Sequence, residues 1–280
     1  MPLEERGKTL SETVRGLENE WALILGASSG FGEACALGLA QAGLNIFGVH
    51  LDRRATLSNV ERIVQSIKNL GREAVFFNVN AADEEKRSEV VDAIQKRLNE
   101  EREPKFIRVF LHSLAFGTLK PFIGRSPSDA ITKAQMDMTL DVMANSLVYW
   151  VQDLMSRNLL ARGSRIFAMT SAGGQRVWKT YGAVSAAKSA LESHIRQLAL
   201  ELGPMGVSAN AIRAGVTDTP ALRKIPGHEE MIKIASKRNP GGRLTSPQDV
   251  ADAIVHLSYP ECGWITGNVI GVDGGEFIVD

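Results

Sequence analysis

Seven short apolar runs rich in Ile, Val, Leu and Phe fall near residues 21–25, 45–49, 73–78, 106–111, 164–170, 207–212 and 268–272. Segments of helical period separate them near 31–42, 56–69, 84–99, 134–160, 182–202 and 247–257. A strand that is apolar on both sides must be covered on both faces, and alternation with helices is how a parallel sheet obtains that cover. The pattern therefore predicts an α/β chain, a single doubly wound parallel sheet of about seven strands with helices on both faces. With 280 residues, 44% of them hydrophobic, the chain can bury such a core as one domain. That domain is expected over residues 21–280, after an N-terminal extension at 1–20. Residues 217–243 break the alternation: Pro220, Pro226, Pro240, Gly227, Gly241 and Gly242 surround a short amphipathic piece near 228–238. An insertion of this kind between strand and helix suits a substrate lid.

Charge narrows the partners. The 32 basic and 32 acidic residues cancel, so no overall field favours nucleic acid or an anionic membrane, and a small molecule is the expected ligand. Cys35 and Cys262 follow no disulfide or metal-binding spacing. No apolar run reaches the roughly 20 residues of a membrane span, and the start MPLEERGKTLSETVRG lacks the apolar core of a signal peptide. The expectation is a soluble, cytoplasmic protein with no metal.

The first chemical motif is WALILGASSGFGEACALGLAQAG at 21–43, a buried run, then Gly26, Gly30 and Gly32, then a helical pattern. Glycines here let the backbone approach a pyrophosphate at a helix N-terminus, where free N–H groups and the helix dipole favour anions. A glycine triplet also occurs where a helix merely packs closely on a strand. Strand before and helix after favour a Rossmann-type dinucleotide site, with Ser28, Ser29 and Phe31 in the same turn.

The G-x-x-x-G-x-G spacing resembles the short-chain dehydrogenase/reductase superfamily. The resemblance can be followed over nearly the whole chain beyond the first twenty residues. Asn78-Val79 ends the third run where that family places a pair beside the adenine, and TGNVIGVDGGEF at 266–277 resembles its C-terminal strand signature. Cofactor choice is expected in GVHLDRR at 48–54, because a carboxylate there selects the ribose 2′-hydroxyl of NAD and a cation accommodates the 2′-phosphate of NADP. His50 stands where many NAD-dependent relatives carry the acid, and Arg53 and Arg54 follow. This favours NADPH over NADH, although Asp52 offers the opposite choice.

After the fourth run, His112-Ser113-Leu114-Ala115-Phe116 resembles a segment of enoyl-acyl-carrier-protein reductases. By that resemblance Ser113, Leu114 and Ala115 line the cofactor and Phe116 the substrate. His112 is read as a residue bonding its surroundings more than as a proton carrier. The stretch SAGGQRVWKTYGAVSAAK at 171–188 carries the chemistry. Carbonyl-reducing members place Tyr four residues before Lys and Ser seventeen before that Lys. Ser171 and Lys188 keep those places, but the tyrosine place holds Val184. The nearest tyrosine is Tyr181, seven residues before Lys188, which is the Tyr-x6-Lys spacing of the enoyl reductases. The chain has only three tyrosines. Retention of a Ser at 171 resembles the NADPH-dependent FabL-type branch.

A shifted tyrosine suits conjugate reduction. Hydride then arrives at Cβ, and the thioester oxygen that needs a proton donor is displaced from that carbon by about 2.5 Å or more. Tyr181 is expected to bind the developing enolate oxygen and Lys188 the nicotinamide ribose, with Ser171 either orienting substrate or Tyr181 or only ending a strand. In NAIRAGVTDTPAL at 210–222, Gly215, Val216, Thr217 and Thr219 would line the nicotinamide by resemblance, and Ala214 replaces the family's proline. Leu222, Ile225, Met231 and Ile234 would cover an acyl chain or form only a local core. Arg223, Lys224, Lys233, Lys237 and Arg238 would meet an acidic carrier protein or stay solvated. The resemblance implies an NADPH-dependent enoyl-acyl-carrier-protein reductase of fatty acid biosynthesis, acting on a carrier-protein or CoA thioester. It also implies a homotetramer assembled through the helices near 134–160 and 182–202. A 2,4-dienoyl-CoA reductase, another ene or ketone reductase, and a non-catalytic dinucleotide-binding protein are the alternatives.

Overall fold

The computed structural model describes residues 16–126 and 128–279. Residues 1–15 of the expected N-terminal extension lie outside the described residues. Seven strands, β1 Trp21–Leu25, β2 Asn45–His50, β3 Ala74–Asn78, β4 Ile107–His112, β5 Arg165–Ser171, β6 Ser208–Ala214 and β7 Val269–Val272, form one sheet in the order β3-β2-β1-β4-β5-β6-β7. Every pairing is parallel. All five residues of β1 are buried because alternate side chains enter two cores. Trp21, Leu23 and Leu25 face one, and Ala22 and Ile24 the other.

The first core is covered by α3 (Glu84–Leu98), α4 (Lys133–Leu140), α5 (Ser146–Ser156) and α6 (Gly182–Leu202). The second is covered by α1 (Gly30–Gln41), α2 (Leu57–Asn69) and α8 (Pro247–Leu257). The amphipathic piece of the insertion is α7, His228–Arg238. Leu17, within the expected extension, is fully buried in the second core.

One expected helix is corrected. The segment read as continuous over 134–160 ends at Ser156, and Asp141–Asn145 between α4 and α5 is π-helical. A buried relay spans it: Ser146 Oγ donates to Val142 O at 2.8 Å, and His112 Nε2 lies 2.8 Å from the same hydroxyl. A side chain tied into the helix ladder in this way displaces the regular i to i−4 bonds. Strand order reverses between β1 and β4, so the carboxyl ends of these strands open the crevice in which ligands of such sheets bind.

Candidate active site at the carboxyl ends of the strands

The glycine turn after β1 has the geometry its sequence demands. Gly26 and Gly30 have φ of 83° and 56°, in the left-handed region. A Cβ on Gly26 would lie 2.5 Å from Ser113 O, and one on Gly32 would collide with Gly26 O. Ser29 caps α1 without a side-chain hydrogen bond, so the first N–H groups of α1 face the crevice with no cap. Thr219, at the root of the lid, touches the other side of this turn, 3.5 Å from the position a Cβ on Gly30 would take. An open backbone cradle at a helix N-terminus fits the pyrophosphate of a dinucleotide.

At the end of β2, His50 is buried and its Nδ1 lies 3.0 Å from Asp52 Oδ2. Burial works to raise the Asp52 carboxyl, but hydrogen bonds with Ser28, Thr56 and His50 outweigh it and hold the group below the usual carboxylate range. Asn78 clips the same turn from β3, its Oδ1 accepting from Asp52 N and its Nδ2 donating to Asp52 O, both at 3.0 Å. Arg53 and Arg54 are exposed, and among the described residues neither guanidinium has an ion-pair or hydrogen-bond partner. Val79 follows, half-buried.

Ser171 ends β5, and its Oγ accepts from Gly173 N at 3.2 Å. Tyr181 is the N-cap residue of α6. Its ring lies against Gly173, where any Cβ would collide with Cε1. Burial raises the phenol above its ordinary value, opposed by a hydrogen bond with Ser171. The turn feeding Tyr181 is strained: Thr180, a β-branched residue, has φ 63°.

Val184 is buried on α6 and closes the alternative tyrosine place. Its Cγ2 lies 3.0 Å from where a Cβ on Gly117 would stand, with Met143 Sδ at 2.9 Å and Thr139 Cγ2 at 2.7 Å. Val184 is packed in the core, and a larger side chain there would have to displace its neighbours. Val184→Tyr is expected to destabilise the protein by about 1–3 kcal/mol, the usual cost of overpacking, as read by chemical denaturation.

Two turns along α6, Lys188 is 5% exposed, and its Nζ donates to Met169 O at 2.6 Å. Burial brings the ammonium down to about 8, opposed by the neighbouring Glu192 charge. Glu192 is itself buried and accepts from Thr170 Oγ1 at 2.7 Å. His112, at the end of β4, is fully buried, and burial together with the Lys188 charge lowers it to about 3. Because Ser146 Oγ donates onward to Val142 O, the His112 Nε2 donates and Nδ1 is the bare nitrogen, without a partner among the described residues. His112 is thus neutral and structural at ordinary pH, its single ring proton held on Nε2.

The loop expected to line the nicotinamide follows β6. Thr217 and Thr219 are buried; Thr217 Oγ1 donates to Gly215 O at 3.0 Å and Thr219 Oγ1 accepts from Leu222 N at 3.2 Å. Leu222 and Ile225 are buried beneath the lid, Met231 is half-buried, and Ile234 is exposed. Leu114 is half-buried, while Ala115 and Phe116 are exposed, Phe116 at 61%. Of the five basic residues of the lid, Arg223 is paired with Asp218 at 2.8 Å and Arg238 faces Glu276, which leaves Lys224, Lys233 and Lys237 exposed.

Two aromatic residues not singled out from the sequence border Tyr181. Phe122 covers Gly182, 2.6 Å from the place of a Cβ there, and Trp178 Nε1 donates to Pro226 O of the lid at 3.1 Å. Both are aromatics in loops, Phe122 exposed and Trp178 half-buried, and only the fold shows which loops meet. Among the described residues, no cluster of His, Cys, Asp and Glu could hold a metal ion, and no helix is long and apolar enough to cross a membrane.

Comparison with known proteins agrees with this geometry. Residues 26–276 match the family model described as Enoyl-(Acyl carrier protein) reductase. Among curated relatives, 1-cyclohexenylcarbonyl-CoA reductase of Streptomyces collinus is 27% identical over 92% of this chain and 87% of its own. The NADH-dependent enoyl-[acyl-carrier-protein] reductase FabI of Buchnera aphidicola is 29% identical over 94% of this chain and 92% of its own length. The 3-oxoacyl-[acyl-carrier-protein] reductase FabG of Aggregatibacter actinomycetemcomitans is 28% identical over 92% and 99%. The crystal structure of an enoyl-[acyl-carrier-protein] reductase from Aquifex aeolicus shares the fold, with a TM-score of 0.80 at 24% identity over 94% of this chain and 98% of that one.

Proposed function

Because this chain belongs to the enoyl-(acyl carrier protein) reductase family of short-chain dehydrogenase/reductases, and is an oxidoreductase of that type, we propose that it reduces the trans-2 double bond of an enoyl thioester with NADPH. The observation that carries the reading is the pairing of Tyr181 at the N-cap of α6 with a buried valine at 184, four residues before Lys188. Relatives with names for both conjugate and ketone reduction are equally distant in identity. The tyrosine position separates them here. The name of the Streptomyces relative denotes an α,β-unsaturated CoA thioester, and that of the Buchnera relative an enoyl group on carrier protein. Both belong to the proposed substrate class, and the exposed Lys224, Lys233 and Lys237 suit an acidic carrier.

A bound reduced nicotinamide would supply the hydride. The chain's own part is binding, charge and proton control. The α1 N-terminus and the glycine turn take the pyrophosphate, and Lys188 takes the ribose hydroxyls. The Tyr181 phenol donates to the thioester oxygen as negative charge builds there, and Ser171 donates to the phenol oxygen behind it. The Lys188 ammonium favours that charge through the same buried region. Phe122, Trp178 and the buried Leu222 and Ile225 exclude water from the acyl side.

For cofactor choice, the unpartnered Arg53 and Arg54 support the 2′-phosphate, while the Asp52 carboxylate is already engaged by His50, Ser28 and Thr56. Replacing both arginines by alanine is expected to lower kcat/KM for NADPH about tenfold and leave NADH nearly unchanged, as exposed charge-assisted contacts to phosphate are lost. An equal loss with both dinucleotides would place the arginines outside the ribose site. The whole reading is tested by following NADPH and NADH oxidation with a trans-2-enoyl thioester, a 2,4-dienoyl thioester and acetoacetyl-CoA in parallel. Turnover confined to the 2-enoyl substrate supports it. Turnover confined to acetoacetyl-CoA makes the protein a ketone reductase, and tight dinucleotide binding with no turnover makes it a binding protein.

A further inference from the structure

The C-terminal segment after β7 turns back into the site. Gly274 and Gly275, at φ 61° and 86°, reverse the chain, and Glu276 N donates to Asp273 O at 3.0 Å. This carries the Glu276 side chain inward, where it is 4% exposed. Its Oε2 accepts from Val216 N at 2.9 Å. Gly215 beside it is boxed in: a Cβ there would collide with Thr245 Oγ1 and stand 3.0 Å from Glu276 Oε2 and 3.1 Å from Asp273 Cα. Asn239, at the end of the lid helix, is buried and donates to Asp273 O at 2.8 Å.

A buried carboxylate is costly unless its oxygens have partners, and the partner here is a backbone amide of a ligand-facing loop. Burial raises the Glu276 carboxyl, opposed by the Val216 N–H and by Arg238 on α7. An apolar residue of similar size would fill the space more cheaply, so the acceptor oxygen has a task beyond packing. We propose that Glu276 is the positioning residue of the nicotinamide loop, fixing Gly215 and Val216 through the Val216 N–H and thereby setting the seat of the nicotinamide ring. The assignment rests on the reading of residues 215–217 as the nicotinamide side of the dinucleotide site.

The test compares two ligands on the full chain: NADPH, and 2′-phospho-ADP-ribose, which lacks the nicotinamide. Glu276→Ala and Glu276→Asp, the second keeping the charge but not the reach, are expected to raise the Kd for NADPH about tenfold or more while leaving that for 2′-phospho-ADP-ribose within about twofold. Glu276→Gln keeps an oxygen acceptor at full length and should restore NADPH binding to within about threefold of the original. Calorimetry reads all eight affinities without turnover, so failure of the thioester assignment leaves this result intact. Should Glu276→Ala not fold, Glu276→Asp and Glu276→Gln carry the comparison. Unchanged NADPH affinity in Glu276→Asp, or equal weakening of both ligands, would overturn the proposal.

Discussion

Replacing Tyr181 by Phe is expected to lower kcat for a trans-2-enoyl thioester roughly 100- to 1,000-fold, about 3–4 kcal/mol of transition-state stabilisation, with dinucleotide affinity unchanged. The change removes only the hydroxyl. The ring keeps its contact with Gly173 and its place at the start of α6, so fold and cofactor seat are preserved. Ser171, whose Oγ accepts from Gly173 N, keeps its own place at the end of β5 in this variant. Stopped-flow measurement of the first turnover, with NADPH binding measured separately, checks both halves of the expectation. Near-normal turnover in Tyr181→Phe would remove the oxyanion role.

Lys188→Ala acts on binding and chemistry together. The cofactor Kd should rise about tenfold from loss of the ribose contacts, and kcat should fall at least about a hundredfold as the positive charge beside Tyr181 and the enolate disappears. Burial sets the pH behaviour. The Lys188 ammonium titrates at about 8 in the folded chain against an ordinary value of 10.5, so activity that needs the cation is complete below pH 8 and declines as pH rises through it. Tyr181, raised by burial, stays a protonated donor across the same range. Stability responds in the opposite sense. Between about pH 8 and 10.5 the unfolded chain binds the extra proton, so the contribution of Lys188 to folding stability rises with pH while activity falls. A pH–rate profile with an alkaline limb near 8, beside thermal melts over the same range, reads the two opposed trends. A simple loss of substrate affinity in Lys188→Ala would contradict the ribose assignment.

The sheet was legible because each strand must be apolar on both faces, a demand written locally in residues 21–25 and repeated seven times. The glycine turn was legible for the same reason: left-handed φ and backbone contact at Gly26 and Gly32 admit no other residue. The π-helical segment was not, because Thr139 to Trp150 keeps an unbroken helical pattern, and the His112–Ser146 contact at its end joins residues that meet only in the folded sheet. Asp52 was visible as a rival to Arg53 and Arg54, yet its engagement by Ser28 and His50 needed the β1 and β2 turns side by side. Glu276 was hidden within a strand signature, where nothing local reveals that two glycines turn its carboxylate onto Val216. The Tyr181 spacing, by contrast, predicted a phenol displaced along α6, and the structure adds that Val184 is buried in the core, which spacing alone does not convey.

The central claim is that the displaced tyrosine directs hydride to Cβ of a conjugated thioester. Its most direct test offers the protein a trans-2-enoyl and a 3-oxoacyl thioester of equal chain length together, with NADPH deuterated at the transferable C4 position, and locates the label by NMR. Deuterium in the C3 methylene of a saturated acyl chain, with the 3-oxo substrate untouched, is the predicted result. Deuterium on a hydroxyl-bearing C3, with the enoyl substrate untouched, would contradict it.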